Sequence, residues 1–379
     1  MSFISNINTY ISYTCVPLTE TNYNEVDALI FARLSYFPFE RIFMNYKKIR
    51  ITLPEFTRRI MEQPDFFNVY SEDERIFIKK LAGSRRYYHC IIYRMQAVNT
   101  EDTQWAAYSL DIGSSGVSVI AMRGTDGTAV GWGEDFRLAH NRLGTGAQLQ
   151  AFRYLKNTDA KRIYLTGHSK GGSNVSSAYV MCNSYIRDKV VRIDNFDGPG
   201  VNPEFAGNYA DGYRELGTKM NNFYPQDSII GLLLLDNPGV VSFIKSVVGE
   251  AYARNPVFGQ HDPFSWVVNG NGFVKAEQTG ASEFGNQILD DVVVETTNLQ
   301  RYYLIQFLER VGLPDIIAGE NTGIAQSIAK AICGLVKAPK EEKAAVFQII
   351  LIFIKRFIYS MKEGLHIGKR EDIIELSCE

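Results

Sequence analysis

Apolar residues recur at helical spacing in the first part of the chain and at strand spacing after about residue 86. In NEVDALIFARLSYF the apolar side chains lie three or four positions apart, which predicts a helix with one buried face that ends before Pro38. The runs YYHCIIYRM, QWAAYSLDI and VSVIAMR predict strands, and the GSSG between the last two predicts a hairpin loop.

Strand and helix patterns then alternate from TGAQLQAFRYLKN to KMNNFYP. This alternation predicts an α/β fold with a mostly parallel sheet, right-handed crossovers and helices on both faces. We expect a helical lead-in over residues 1–85, a core over 86–300 and a helical C-terminal region over 301–379. The irregular stretch 226–260, with its apolar run IIGLLLL, predicts a cap insertion at about 228–260.

Composition narrows the function classes. The 379 residues are 45% hydrophobic and 22% charged, enough for a sizeable core. The net charge of −2 supplies no positive field, so we expect no nucleic-acid partner. The five cysteines are widely spaced, which predicts neither a zinc site nor a disulfide framework. The N-terminus lacks the pattern of a secretory signal, so a cytoplasmic location is expected.

One apolar segment lies near the C-terminus. The run from Ala344 to Ile354 stops at Lys355 and Arg356 and is too short for a membrane span. Its pattern is typical of a buried helix or of a subunit contact. A helix lying in a lipid headgroup layer is the alternative, with Lys355, Arg356 and Lys362 supplying positive charge. Residues 344–362 are therefore a candidate for peripheral membrane contact, and the oligomeric state stays open.

The sequence GHSKGG, residues 167–172, follows the predicted strand RIYLT and opens the next helix. This is a GxSxG elbow in the strand-turn-helix context that the motif requires, and it places the hydroxyl of Ser169 above a sheet. The alternative interpretation is a glycine-rich turn whose serine only caps the helix. In its context, GxSxG favours a nucleophilic serine and an α/β-hydrolase fold.

A serine nucleophile needs a base, and the base needs an orienting carboxylate. In this fold both follow the serine in the chain, which leaves His261 and His366 as candidates for the base. We favour His261, at the end of the predicted cap, because His366 lies in a basic tail after the helices.

Four carboxylates are candidates for the acid: Asp194, Asp197, Asp227 and Asp236. We favour Asp227, which follows the strand KMNNFYP at the edge where loop residues converge on an active site. Asp197 is the competing choice, although its DGPG context is also typical of a turn residue.

An oxyanion hole needs two donors near the nucleophile. Elbow geometry makes the backbone N–H of Lys170 one donor. Thr125, directly after the strand VSVIAMR, is the candidate for the second because Gly124 permits close approach. Arg123 is interpreted as an ion-pair partner, with Asp135 as its candidate counterion.

The stretches YNEVDALIFARLSYFPFE, AMRGTDG, GWGEDF, LTGHSKGG, NFDGPG, YPQDSIIGLLL and QHDPFSW occur in this order. Together they resemble the uncharacterised bacterial Mbeg-like family of lipase-like domains, over about residues 20–290. More distantly the order is similar to that of fungal-type class 3 lipases. Carried over by position, the resemblance implies Ser169 as nucleophile, Asp227 as acid, His261 as base and Thr125 with Lys170 as oxyanion donors.

Two departures from the lipase pattern weaken any inheritance of substrate preference. Lys170 replaces the apolar residue usual after the lipase serine, and QDSI replaces the proline-containing pattern after the acid. The sequence therefore predicts a serine esterase of lipase type that needs no metal or cofactor and cleaves a small-molecule or lipid ester. The alternatives are a catalytically silent ligand- or partner-binding protein and a membrane-acting lipase effector.

Overall fold

An eight-stranded sheet forms the centre of the molecule in the computed structural model, which describes residues 5–113, 116–248, 256–312 and 333–356. The strands follow one another across the sheet in chain order. They are β1 (Ile51–Thr52), β2 (Ile91–Asn99), β3 (Gln104–Asp111), β4 (Val117–Met122), β5 (Arg162–His168), β6 (Val190–Phe196), β7 (Met220–Pro225) and β8 (Val240–Ile244). A separate antiparallel pair is formed by β9 (Val268–Asn269) and β10 (Gly272–Phe273).

The helices fall into an N-terminal group, a group between the strands and a C-terminal group. They are α1 (Ile7–Tyr13), α2 (Glu25–Leu34), α3 (Phe39–Ile42), α4 (Leu53–Met61), α5 (Phe66–Val69), α6 (Glu72–Ala82), α7 (Ala129–Arg137), α8 (Gly146–Lys156), α9 (Lys170–Met181), α10 (Ser184–Arg187), α11 (Pro203–Asn208), α12 (Ala210–Leu216), α13 (Pro256–His261), α14 (Gly280–Glu295) and α15 (Asn298–Arg310). Residues 333–337 and 340–356 are also helical.

One half of the sheet is antiparallel and the other half is parallel. From β1 to β4 neighbouring strands are antiparallel, and from β4 to β8 they are parallel. In the parallel half, Met122 pairs with Gly167, and His168 pairs with Phe196. The carboxyl ends of β4, β5 and β6 therefore meet at one edge, where loops of a parallel sheet usually build a site.

Two cores flank the sheet. The helices α1, α2, α4 and α6 bury their apolar faces on one side, and α8 and α9 bury theirs on the other. Helices on both faces of a mostly parallel sheet, with the sharp β5–α9 turn described below, make an α/β-hydrolase fold. This confirms the fold class predicted from the alternating pattern.

Two expectations about the chain's organisation need correction. The N-terminal segment is helical as predicted, but β1 adds it to the sheet and its apolar side chains share a core with β2 and β3. The stretch 226–260 is not wholly irregular, because β8 lies within it and pairs in parallel with β7. Val240 and Val241 of this edge strand are both exposed, so the strand lacks the alternation of apolar and polar positions by which a half-buried strand is recognised.

Candidate active site

Ser169 occupies a strained turn between β5 and α9. Its φ of 58° and ψ of −136° lie in a region that residues with a Cβ rarely adopt. The turn is possible because glycines stand where backbones touch: a Cβ on Gly167 would lie 2.2 Å from the backbone of Gly171, and one on Gly171 would lie 2.3 Å from the carbonyl oxygen of Met122. The elbow therefore has the geometry that GHSKGG predicts.

The imidazole of His261 is hydrogen-bonded to a carboxylate, and that carboxylate belongs to Asp197. The distance from His261 Nδ1 to Asp197 Oδ2 is 2.6 Å. The other oxygen of Asp197 accepts hydrogen bonds from Ser228 Oγ at 2.5 Å and from the N–H of Gly231 at 3.1 Å. Asp197 is 1% exposed, so this buried charge has donors on both of its oxygens.

Asp227, our preferred acid from sequence, does not contact His261. Its Oδ1 accepts a hydrogen bond from Thr279 Oγ1 at 2.5 Å, and its backbone N–H donates to Gln260 Oε1 at 3.0 Å. The preference was wrong as to the partner of His261 because both aspartates follow adjacent parallel strands, β6 and β7, and only the tertiary packing decides which side chain turns toward the base. Asp197 takes a φ of 50°, in the left-handed region that residues with a Cβ rarely adopt.

The remaining candidates lie elsewhere or outside the described residues. Asp194 is buried and paired with Arg192 at 2.7 Å. Asp236 contributes its backbone carbonyl to a hydrogen bond from Tyr213. His366 lies outside the described residues, which leaves His261 as the candidate base that the structure places at the elbow.

His261 lies against His168, the residue that precedes Ser169. The ring centroids of His168 and His261 are 4.4 Å apart, and His168 Nε2 donates to the backbone oxygen of His261 at 2.8 Å. Among the hydrogen bonds of the described residues there is none from Ser169 Oγ to the imidazole of His261.

The loop after β4 is held by Asp135. Thr125 Oγ1 donates to Asp135 Oδ2 at 2.5 Å, so the predicted oxyanion residue has a fixed orientation. Arg123 does not pair with Asp135, as the sequence suggested; it pairs with Glu40 at 2.6 Å. Arg123 also donates to the backbone oxygens of Ser35 and Phe37, so its guanidinium faces the N-terminal region, whereas Thr125 contacts Asp135 of α7.

The side chain of Lys170 is buried beneath the elbow. Its Nζ donates to Gln104 Oε1 at 2.9 Å and to Glu134 Oε2 at 3.3 Å, and it lies 3.9 Å from Asp135 Oδ1. Burial raises the pKa of Asp135 to about 6, although the positive charge of Lys170 opposes this shift. A titratable carboxyl group thus lies between Thr125 and the side chain of Lys170.

An apolar cavity of about 440 Å³ opens beside Ser169. Its walls come from α7, the segment 230–234, α13 and the C-terminal helices, and the lining side chains include Trp132, Phe136, Ile230, Leu233, Leu234, Phe258, Leu289, Val292, Leu304, Ile305 and Leu308. Ser169, Lys170 and Asp135 form its polar end. Part of the predicted apolar run therefore lines the cavity, whereas Phe264 and Trp266 pack in the core on the N-terminal helices.

The C-terminal helices form part of the wall of this cavity. Ile349 of the 340–356 helix lies in the cavity wall, and the opposite side of that helix exposes Phe347, Ile350, Leu351 and Ile354 to solvent. Arg356 pairs with Glu295 and, at 3.5 Å, with Asp291. The described part of the candidate membrane segment thus has an outward apolar face; Lys362 lies outside the described residues.

No helix in the described ranges has the length and apolarity to cross a membrane. Within those same ranges, no group of three or more histidine, cysteine or acidic side chains could hold a metal ion.

The family of the chain follows from its sequence. A family model described as Mbeg1-like matches residues 81–308. The chain belongs to the Mbeg1-like family. This confirms the predicted resemblance over the core, while residues 20–80, which the resemblance also included, lie outside the matched range. A search of curated proteins found no match for this Mbeg1-like chain.

Solved structures align with the chain only loosely. Lipase II from Rhizopus niveus is 18% identical, with 40% of this chain and 67% of that chain covered and a TM-score of 0.28. Lip2 lipase from Yarrowia lipolytica is 14% identical, with 53% and 74% covered and a TM-score of 0.32. M37 lipase is 15% identical, with 82% and 99% covered and a TM-score of 0.33. At these scores we draw no inference from the alignments, and the fold assignment depends on the sheet and the elbow.

Sequence reasoning missed two groups beside Ser169. Tyr36, at the end of the N-terminal helical stripe, places its hydroxyl 2.8 Å from His168 Nδ1. His168 itself was treated only as the variable position of the motif. The available signal was a tyrosine, an aromatic residue with a polar hydroxyl, near the end of a predicted helix. Nothing in the sequence indicates which strand this tyrosine faces.

Proposed function

We propose that this member of the Mbeg1-like family is a serine hydrolase that cleaves a carboxylic ester with an apolar acyl group. The observation that carries the proposal is the strained Ser169 at the polar end of an apolar cavity, beside a histidine that is hydrogen-bonded to the buried Asp197. A fold alone would not suffice, because one fold hosts many functions.

In the proposed reaction each step is assigned to a residue of this site. Ser169 Oγ attacks the ester carbonyl while His261 Nε2 takes its proton, and Asp197 stabilises the imidazolium through Nδ1–H. His261 then returns the proton to the departing alcohol, which leaves an acyl-enzyme. Water hydrolyses the acyl-enzyme with His261 as the base, and His261 then returns a proton to Ser169 Oγ. Asp227, the acid implied by resemblance to lipases, has no part in this scheme.

The oxyanion would be held by backbone donors. The N–H of Lys170 opens α9, where first-turn amides have no acceptor within the helix and the helix dipole favours negative charge. The loop residue Thr125, oriented by Asp135, would supply the second donor. Removing one such donor typically lowers kcat by about 10² to 10³.

The cavity supports an acyl or lipid ester as substrate. Its walls are almost wholly apolar beyond the elbow, so a hydrocarbon chain gains about 25 cal/mol for each Å² removed from water. Charged groups in the lining that could bind a sugar or a peptide are already engaged: Arg301, for example, donates to Glu204 and to the carbonyl oxygens of Ala139 and Thr296.

Labelling with a fluorophosphonate probe tests the proposal. The wild-type protein should react with the probe, and Ser169→Ala should not. Ser173→Ala is the matched control because Ser173 lies one turn further along α9 and is fully buried. p-Nitrophenyl esters of graded length then report the acyl preference. A folded wild-type protein that neither reacts nor hydrolyses any ester would instead indicate a ligand-binding protein without turnover.

A further inference from the structure

The phenol of Tyr36 lies at the junction of the elbow and the oxyanion loop. Its oxygen is 2.8 Å from His168 Nδ1 and 3.2 Å from the backbone oxygen of His168. A Cβ on Gly124 would lie 2.1 Å from the same hydroxyl, so the oxyanion loop carries glycine where the phenol needs room. One hydroxyl group thus contacts both segments that border the nucleophile.

We propose that Tyr36 is a positioning residue for the hydrolase reaction, acting through His168 to hold the backbone of His261 beside Ser169. The inference rests on the proposed function and adds the N-terminal helical region to the residues on which catalysis depends. The Tyr36 phenol also has the Ser169 side chain as a hydrogen-bond partner, so it lies beside the nucleophile of the proposed reaction.

The hydrogen-bond directions fix one tautomer of His168. The backbone oxygen of His261 can only accept, so His168 Nε2 must carry a proton to bond to it at 2.8 Å. In a neutral imidazole Nδ1 then has a lone pair and accepts from the phenol of Tyr36. The contacts therefore run in one direction, from the Tyr36 hydroxyl through the His168 ring to the backbone of the base.

A neutral His168 also suits the chemistry. His168 is 4% exposed, and burial lowers its pKa well below the usual value, with the nearby His261 acting in the same direction. The two rings are 4.4 Å apart, so a charge on His168 would oppose the imidazolium that forms on His261 during acylation. Burial also raises the pKa of Tyr36, which keeps the phenol protonated and able to donate.

Tyr36 is held rigidly enough to position another group. Arg123 donates to the backbone oxygen of Ser35 at 2.6 Å and to that of Phe37 at 3.1 Å, on either side of Tyr36 in the chain. The same guanidinium pairs with Glu40. Because Arg123 directly precedes the oxyanion loop, the end of β4 and the segment 35–37 are fixed to each other.

The first experiment compares Tyr36→Phe with wild type. Loss of the hydroxyl should lower the rate constant for fluorophosphonate labelling and kcat for a short p-nitrophenyl ester by at least about tenfold, because small misplacements of reacting groups are costly. KM should stay the same, since Tyr36 is not among the described residues that line the cavity. Tyr93→Phe is the matched control: its phenol is 2.8 Å from Ser118 Oγ, away from the elbow, and its loss should leave the rates unchanged.

A double-mutant cycle shows whether Tyr36 acts through His168. Adding Tyr36→Phe to His168→Leu should lower the rate by a smaller factor than Tyr36→Phe does in the wild-type background, because the contact with His168 is already gone. Equal effects of Tyr36→Phe in both backgrounds would overturn the proposal. So would a folded Tyr36→Phe protein with wild-type kcat.

A readout independent of activity separates this inference from the proposed function. In ¹⁵N-histidine NMR spectra of the wild-type protein at pH 7, His168 should be the neutral Nε2–H tautomer, and the Nδ1 resonance should move in Tyr36→Phe. A cationic or Nδ1–H His168 would contradict the inference even if the protein is an active hydrolase. Absence of labelling with the expected tautomer would contradict the proposed function alone.

Discussion

The variant Asp197→Asn is expected to abolish ester hydrolysis while the protein stays folded. The carboxylate of Asp197 accepts from Ser228 and Gly231 on one oxygen and from His261 on the other. An asparagine that keeps its oxygen toward the two donors must turn its NH₂ group toward His261 Nδ1. The imidazole then carries its proton on Nε2, where it cannot accept the proton of Ser169.

The size of the effect follows from comparable triads. Replacement of the orienting aspartate by asparagine lowers kcat by about 10⁴-fold with the geometry intact, which corresponds to about 5.4 kcal/mol of transition-state stabilisation. Asp227→Asn makes the same chemical change on the neighbouring strand end. Its side chain bonds to Thr279, so we expect a loss of about 1 kcal/mol in stability and less than a threefold change in kcat.

The assay is the rate of hydrolysis of a short p-nitrophenyl ester, with thermal unfolding of each variant to confirm folding. If Asp197→Asn keeps the wild-type rate while Asp227→Asn loses it, the hydrogen bond to His261 does not identify the acid. The assignment by resemblance to lipases would then stand instead.

Four other changes probe the surroundings of the site. Burial raises the pKa of Asp135 from 3.8 to about 6, so the free energy of unfolding should fall as pH rises through that interval. In urea titrations at several pH values, Asp135→Asn should lack this pH-dependent loss of stability. Lys170→Met should lower the free energy of unfolding by about 3 to 5 kcal/mol in thermal unfolding, because it leaves the charge of Glu134 buried and unpaired. Adding Glu134→Gln to Lys170→Met should restore part of this stability. Leu304→Trp should fill part of the cavity and shift the preferred p-nitrophenyl ester to shorter acyl chains, an unchanged preference being contrary to the acyl-site interpretation. Leu351→Glu, on the exposed side of the 340–356 helix, tests the predicted peripheral membrane contact: if that helix binds lipid, the substitution should reduce co-sedimentation with vesicles without changing hydrolysis of a soluble ester.

The sequence by itself determined the features that depend on neighbours in the chain. The order of strands and helices from β2 to β7 and the turn at Ser169 follow from hydrophobic period and glycine placement, which act over a few residues. His261 was selected as the candidate base because few histidines follow the serine. Family membership likewise needed only the order of motifs.

Tertiary structure alone decided which distant side chains meet. Asp197 and Asp227 both follow parallel strands, and the choice between them depends on the backbone turn at Asp197 and on the donors Ser228 and Gly231. The contact of Tyr36 with His168 likewise depends on how α2 packs against β5, a pairing across more than a hundred residues that no local pattern records. Periodicity shows which face of an element is buried, but not which element covers it.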